Sequence, residues 1–507
     1  MFVVTTLGRR LGQRLRRAPG PFLHHWHRFA MRGGTRAGAP RRTSPDPWSR
    51  EPQWFPGDTP PRSHNQVTPL IDGHAFLADL HHALAAAQHY VYLIGWCMTP
   101  EIPLRRDSGE ALVATRLLGL LAETARRLPV RVLLWSGAPV VFQPDARSTE
   151  AVRSALMEAA RAEGADLRCE LDHSARFSHC HHQKAIVVDG QIAYVGGMDL
   201  TTFQGDRWDL PGHPLRAGPN WHDVQIRLEG EAVSDVEHNF RQRWQAVTGE
   251  RALPHRDPAW QPDWRTPVQI VRTIPRRVYD FAPRGEFGIH HVYLHAIRQA
   301  RRLIYLENQY LWSPEIRNAL IEAMNRQAAP FRIVIVLPAR AYDGKGDNDQ
   351  HVAALREADK GRGIVSVYCP YASGPNAGAR AFSYRPTYVH AKVGVIDDEW
   401  LLIGSANLND RGLITDSEIM AVAHDPALAR QVRIDLWTEH LALARDQVAD
   451  TAPHALVDGA WAEHAARNAE IIKRGDRPLI GAVHRYELGR MPGSWFLDEA
   501  EALLVEH

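Results

Sequence analysis

The chain has 507 residues, 44% hydrophobic and 23% charged, and at about 100–200 residues per domain it is too long for a single small module. No stretch approaches the roughly 18 consecutive apolar residues of a membrane span. Cys97, Cys169, Cys180 and Cys369 are scattered without a CxxC spacing, which excludes a disulfide scaffold or a zinc ribbon and leaves buried, reduced thiols.

Residues 1–50 carry eleven arginines against one acid, Asp46, so the formal net charge of +2 conceals a basic arm and an acidic body of about −8. An acidic folded body argues against nucleic acid as partner, because affinity for a phosphate backbone comes from a basic footprint. The arm has no apolar run of 7–15 residues behind its arginines, so a Sec or Tat signal is not expected. Interrupted by Pro and Gly, residues 1–66 read as a largely disordered basic segment able to touch anionic lipid, act as a targeting sequence or simply stay solvated.

From about residue 67 the same order of elements occurs twice. A helical pattern, GHAFLADLHHALAAAQ, leads into the apolar strand YVYLIGW (90–96), and HHVYLHAIRQARR leads into LIYLENQY (303–310). A longer helical stretch follows in each half and ends in a second apolar strand, VRVLLW (130–135) or FRIVIVLP (331–338). This alternation predicts an α/β fold of two α-β-α sandwich halves, 67–255 and 256–450, with mixed, largely parallel sheets. Residues 451–507 are expected to pack on the second half.

Residues 181–200, HHQKAIVVDGQIAYVGGMDL, align without a gap with 389–408, VHAKVGVIDDEWLLIGSANL. The constant offset matches His182 with His390, Lys184 with Lys392, Asp189 with Asp397 and Gly197 with Ser405. On a strand, residues i and i+2 share a face, so each histidine projects with its lysine. The aspartates, seven residues on, fall on the opposite parity and are expected to anchor a turn. A two-residue turn at Asp189-Gly190 would place Gly197 opposite His182 and, in the same register, Ser405 opposite His390. Small residues there leave room for a tetrahedral group.

Two His–Lys pairs brought to one interface across a pseudo-twofold axis would surround one pocket with two imidazoles and two ammonium groups. That set suits phosphoryl transfer: one imidazole as nucleophile, the other as acid, and lysines against the equatorial oxygens. Only five of the 60 basic residues are lysines, yet both of these positions hold one, which indicates a need for a compact ammonium rather than a guanidinium fork. The run His179, Cys180, His181, His182 does not converge on one strand face, so no metal is expected there. The Pro/Gly-rich stretches 201–221 and 371–388 are expected to form loops beside the site, the first carrying Phe203, Trp208, Leu210 and Trp221.

These strings, HQKAIVVD with its following GG, HAKVGVID with its following GSAN, and the flanking VGGMDL, WHDVQIRLEG, IYLENQYL and GSANLNDRGLITDSEI, resemble the paired HxKxxxxD motifs of the phospholipase D superfamily over about residues 67–450. The finer detail is similar to phosphatidylcholine-type enzymes and their bacterial relatives. The resemblance implies a catalytic set of His182, Lys184, Asp189, His390, Lys392 and Asp397, with Asp223 and Glu418 orienting the histidines. It makes His182 the nucleophile that forms a phosphohistidine and His390 the acid. Asn407 is implied to contact phosphate together with Gly197 and Ser405, whereas Asp199 stands where Asn407 would repeat and is left out. The roles of Glu307, Asn308 and Gln309 stay open.

The implied activity is hydrolysis of glycerophospholipids to phosphatidate, with transfer to alcohols, by a monomer acting at a membrane surface without cofactor or metal. Competing expectations are a cardiolipin-synthase-like phosphatidyltransferase, a nuclease and a non-catalytic binding protein. Arg-rich composition without a signal points to a bacterial protein, cytoplasmic or peripherally membrane-bound, with signal-independent export left open.

Overall fold

The computed structural model describes residues 54–106, 109–138, 144–176, 179–326, 330–342, 345–376 and 381–489. The basic segment 1–50 and the end of the chain lie outside the described residues.

The first sheet comprises β1 (Asn65–Ile71), β2 (Val91–Gly95), β3 (Val130–Trp135), β4 (Leu167–Asp172), β5 (Ala185–Val188), β6 (Ile192–Gly196) and β8 (Val224–Gly230) in the order β1-β8-β6-β5-β2-β3-β4. A two-residue strand, β7 (Trp221–His222), stands apart from it. The second sheet runs β10 (Glu286–Phe287), β9 (Val268–Ile274), β18 (Glu418–His424), β17 (Trp400–Gly404), β16 (Lys392–Ile396), β11 (Leu303–Asn308), β12 (Arg332–Val336), β13 (Val365–Pro375), β14 (Phe382–Pro386). The path β9-β18-β17-β16-β11-β12-β13 repeats the first sheet strand for strand. Both sheets are mixed, but parallel pairing is confined to β2-β3-β4 and β11-β12-β13. The expectation of largely parallel sheets is corrected here: the repeated hairpin returns each chain beside its own strand, and a tight return can only be antiparallel.

Strands β2, β3 and β5 are apolar along nearly their whole length because both sheet faces are covered. Leu77, Leu80, Leu93 and Val132 fill the outer layer of the first half, and Ile289, Tyr293, Leu306 and Ile335 that of the second. The inner faces share one core, in which Tyr92, Val195 and Phe240 meet Ile270, Val395 and Trp437. Phe240 stacks on Tyr92 with centroids 4.5 Å apart, a contact of about 0.5–1.5 kcal/mol beyond burial. Helix Pro426–Leu441 has Pro426 in its first turn, and Asp425 caps it by accepting from the amides of Ala427 and Leu428 at 2.9 and 3.1 Å.

Folded structure begins before residue 67. Trp54 packs edge-on to Trp400 at 5.5 Å, Thr59 donates to the Ile270 carbonyl at 2.6 Å, and Arg62 pairs with Asp235 at 2.7 Å. The arm boundary drawn at 66 is therefore too late, because sparse but well-placed side chains dock this segment without any periodic pattern. At the other end, β19 (Val483–Arg485) pairs with β13. The stretch 371–388, expected to be a loop, supplies the end of β13, β14 and β15 (Tyr388–Val389).

Candidate functional site

Each hairpin begins with an aspartate in the left-handed region. Asp189 (φ 58°) and Gly190 (φ 66°) form the turn after β5, and Asp397 (φ 58°) and Asp398 (φ 56°) the one after β16. Strand pairing resumes at Val188↔Ile192 and Ile396↔Trp400, one residue later than a two-residue turn allows. The extra residue corrects the expected register, so Gly197 and Ser405 are not opposite His182 and His390.

The two turn aspartates are anchors. Asp189 accepts from the amides of Gln88, His89 and Tyr90 at 2.7–3.0 Å. Asp397 accepts from those of Arg301, Arg302 and Leu303 at 2.7–2.8 Å. Both carboxylates are thus committed to backbone at the start of β2 and β11, and neither is a catalytic group.

The halves meet through two short parallel contacts. His181 pairs with Ser417, and β15 pairs with β7 through Val389↔His222. In each contact the residue before a motif histidine lies beside the residue before an acid of the other half. The His182 amide donates to the Ser417 carbonyl and the His390 amide to the His222 carbonyl, both at 2.8 Å. As a result the acids are exchanged: His182 Nδ1 lies 2.9 Å from Glu418 Oε1, and His390 Nδ1 lies 2.7 Å from Asp223 Oδ2. With Nδ1–H donating to the carboxylate, each Nε2 is left unprotonated. Sequence reading named the acids but not their crossing, because one strand's parity says nothing about which half it faces.

The lysines complete the set. Lys184 Nζ donates to the His182 carbonyl at 2.9 Å and forms an ion pair with Asp199 at 3.0 Å. Lys392 Nζ donates to the His390 carbonyl. Burial pushes both imidazoles well below the usual histidine range, and the ammonium charges of Lys184 and Lys392 push the same way. Burial also brings Lys392 down to about 7, against the attraction of Asp223. Glu418 and Asp223 are pushed up by burial, an effect opposed by those lysines. The site is a desolvated cage built to receive an anion.

Gly197 and Ser405 adjoin the two acids. A Cβ on Gly197 would lie 2.1 Å from Asp223 Oδ1, so only glycine lets this carboxylate reach His390. Ser405 donates its hydroxyl to Glu418 and accepts from the Ile419 amide at 3.0 Å. Asn407 is buried with its Oδ1 unpaired. Asp199, set aside in the sequence reading, touches the first motif lysine.

Trp221 packs 5.2 Å from the His390 ring, and Trp96 meets His182 edge-on at 5.8 Å. The segment 201–220 is an ordered loop whose buried Arg207 stacks on Trp221 at 4.0 Å. Glu307 lies under the site, accepting from His222 at 2.8 Å and His440 at 2.7 Å, and these two hydrogen-bonded histidines hold its carboxyl well below the usual range despite burial. Cys180 is buried, which pushes its thiol well up. Among the described residues, the clusters able to hold a metal do not include the His179–His182 run, and no helix is long and apolar enough to cross a membrane.

A family model described as phospholipase D matches residues 83–220, and one described as cardiolipin synthase, PLD-like domain, matches residues 293–438. Phospholipase D alpha 1 of Cynara cardunculus is 25% identical over 82% of this chain and 70% of its own length. Phospholipase D alpha 1 of Oryza sativa subsp. japonica is 26% identical over 75% and 65%, and phospholipase D alpha 2 of Arabidopsis thaliana is 25% identical over 89% and 75%. Among solved structures, phosphatidylserine synthase of Haemophilus influenzae Rd KW20 overlays with a TM-score of 0.48 at 13% identity, covering 83% of this chain and 98% of that one. With a matching domain in each half and relatives that span both, the chain belongs to the phospholipase D superfamily.

Proposed function

We propose that this protein is a phospholipase D: it cleaves the distal phosphodiester bond of a glycerophospholipid through a phosphohistidine on His182, giving phosphatidate with water or a phosphatidyl alcohol with an alcohol. The observation that carries this reading is the pair of crossed dyads, His182–Glu418 and His390–Asp223, with the charges of Lys184 and Lys392 acting on both imidazoles. A neutral His182, its Nδ1–H held by Glu418, has Nε2 free to attack phosphorus. Arrival of the phosphodiester anion offsets the lysine charges that depress His390, which then takes up a proton and delivers it to the departing headgroup oxygen. In the second step neutral His390 draws a proton from water or alcohol, and the oxygen displaces His182. Hydrolysis and transfer differ only in the acceptor.

The reading is tested on vesicles of mixed phosphatidylcholine, phosphatidylethanolamine and phosphatidylglycerol containing a little ethanol. Phosphatidate and phosphatidylethanol, both absent with His182→Ala, are the expected products. Cardiolipin as the main product would instead favour the phosphatidyltransferase reading, which the cardiolipin-synthase-type match of the second half supports. Absence of lipid turnover together with cleavage of a nucleic acid would overturn both.

A further inference from the structure

Behind the Asp223–His390 dyad lies a buried cluster that the proposed reaction leaves unused. Asp72 begins helix Asp72–Ala86 with a φ of 62°, in the left-handed region that only a local constraint holds for a non-glycine residue. His213 comes from the loop 201–220 and His222 from β7. All three side chains are fully buried, and their potential ligand atoms lie within 4.8 Å of one another. Asp72 Oδ2 and His213 Nε2 face each other at 3.7 Å, each without a hydrogen-bond partner. Glu439 Oε1 is 3.6 Å from the same Nε2.

These separations are too long for hydrogen bonds, yet they suit atoms sharing one ion. Ligands bound at about 2.0–2.2 Å in a tetrahedral shell stand roughly 3.3–3.6 Å apart. The outer partners have the matching arrangement. His222 Nε2 lies 2.8 Å from Glu307 Oε2, and His213 Nδ1 lies 3.4 Å from Asp209 Oδ2. His222 thus turns one nitrogen to the centre of the cluster and donates from the other to a carboxylate, as metal-bound histidines do, whereas His213 Nδ1 faces its carboxylate without a hydrogen bond.

We propose that Asp72, His213 and His222 form a divalent metal site of the zinc class, with Glu439 supplying a further oxygen. Two nitrogen donors disfavour calcium and magnesium, which take oxygen ligands. On binding, His222 gives up the proton it shares with Asp72 Oδ1 at 3.0 Å, and that proton leaves to solvent. The ion would be structural. It would tie the helix start, the loop and β7 to one point, and Asp72 is bonded to both backbone groups of Asp223, at 2.8 Å to its carbonyl and 3.2 Å from its amide. The inference rests on these side chains alone and stands whatever the substrate is.

The test uses the full chain, freed of metal by a chelator and titrated with Co²⁺, then with Zn²⁺ as competitor. One Co²⁺ per chain with the visible absorption of a four-coordinate nitrogen–oxygen site, displaced by Zn²⁺, is expected. His213→Gln should lower the bound metal at least tenfold, and His390→Ala should bind as the unsubstituted chain does. Should His213→Gln fail to fold, Glu439→Gln is the second variant, with affinity expected to fall about tenfold. Absence of stoichiometric Co²⁺ or Zn²⁺ in the folded protein, or binding that His213→Gln and Glu439→Gln leave unchanged, would overturn the proposal.

Discussion

The two motif strands deliver the same histidine and lysine, but their surroundings differ. In the first half Lys184 is paired with the carboxylate of Asp199, and His182 is held by Glu418, whose second oxygen is bound by Ser405. In the second half Asn407 occupies the position of Asp199, Lys392 faces Asp223, and Gly197 is cut back to admit that carboxylate. Duplication thus supplies a symmetric set of reacting groups, and three unmatched pairs of neighbours give each half its own electrostatics. A two-step transfer needs this asymmetry, because one imidazole must stay unprotonated to attack while the other carries a proton.

The sharpest way to break the comparison is to remove each histidine in turn. Either His182→Ala or His390→Ala should lower lipid turnover at least about 10³-fold, since the two groups act as a unit. They should part on a substrate with a good leaving group such as p-nitrophenol, which needs no acid. His390→Ala should then still release a stoichiometric burst and hold the phosphatidyl group on the protein, whereas His182→Ala should give neither. A burst from His182→Ala instead would reverse the assignment of the two halves.

The crossed acids come next. Glu418→Gln and Asp223→Asn should each cost about 10²–10⁴-fold in kcat by allowing the wrong imidazole tautomer. If the crossing holds, Glu418→Gln fails on activated and natural substrates alike, while Asp223→Asn recovers on the activated one. Single-turnover rates on both substrates measure this, and the opposite pattern would mean that each acid serves the histidine of its own half.

How much of this was readable beforehand depended on whether the controlling interaction was local. The repeat, the helix and strand order and the turn role of Asp189 and Asp397 follow from spacing and parity within a few residues. The register was missed by one because Gln191 and Glu399 enter the turns, which no pattern of polarity announces. The docking of Trp54, Phe55 and Arg62 depends on contacts more than 160 residues apart. The exchange of Glu418 and Asp223 between halves spans 236 and 167 residues and the contact of Asp72 with His222 spans 150, separations that a linear reading scatters.

A smaller effect is expected from pH. Lys392, brought down to about 7 by burial, should lose its proton as pH rises past neutrality, so kcat/KM should fall about tenfold per unit above it. Lys392→Arg should flatten that limb at a lower overall rate, because a guanidinium stays charged but does not fit an ammonium's place. Stability should move the other way. Between about pH 7 and the ordinary lysine value of 10.5 the unfolded chain binds the proton and the folded one does not, so this group's contribution to stability rises with pH across that window. A pH–rate profile without a basic limb near 7 would show that Asp223 keeps Lys392 charged.

The mildest change makes the halves more alike. Asp199→Asn gives the first half the residue of the second and frees Lys184 from its ion pair. A second uncompensated ammonium should strengthen binding of the phosphodiester, lowering KM a few-fold, and should depress His182 further, since Lys184 already pushes it down. The reciprocal Asn407→Asp places a carboxylate near Lys392 and should raise both KM and the pH at which the basic limb begins. If the two substitutions instead act in the same direction on KM, the difference between Asp199 and Asn407 does not set the charge of the two lysines. The asymmetry would then rest on the crossed acids alone.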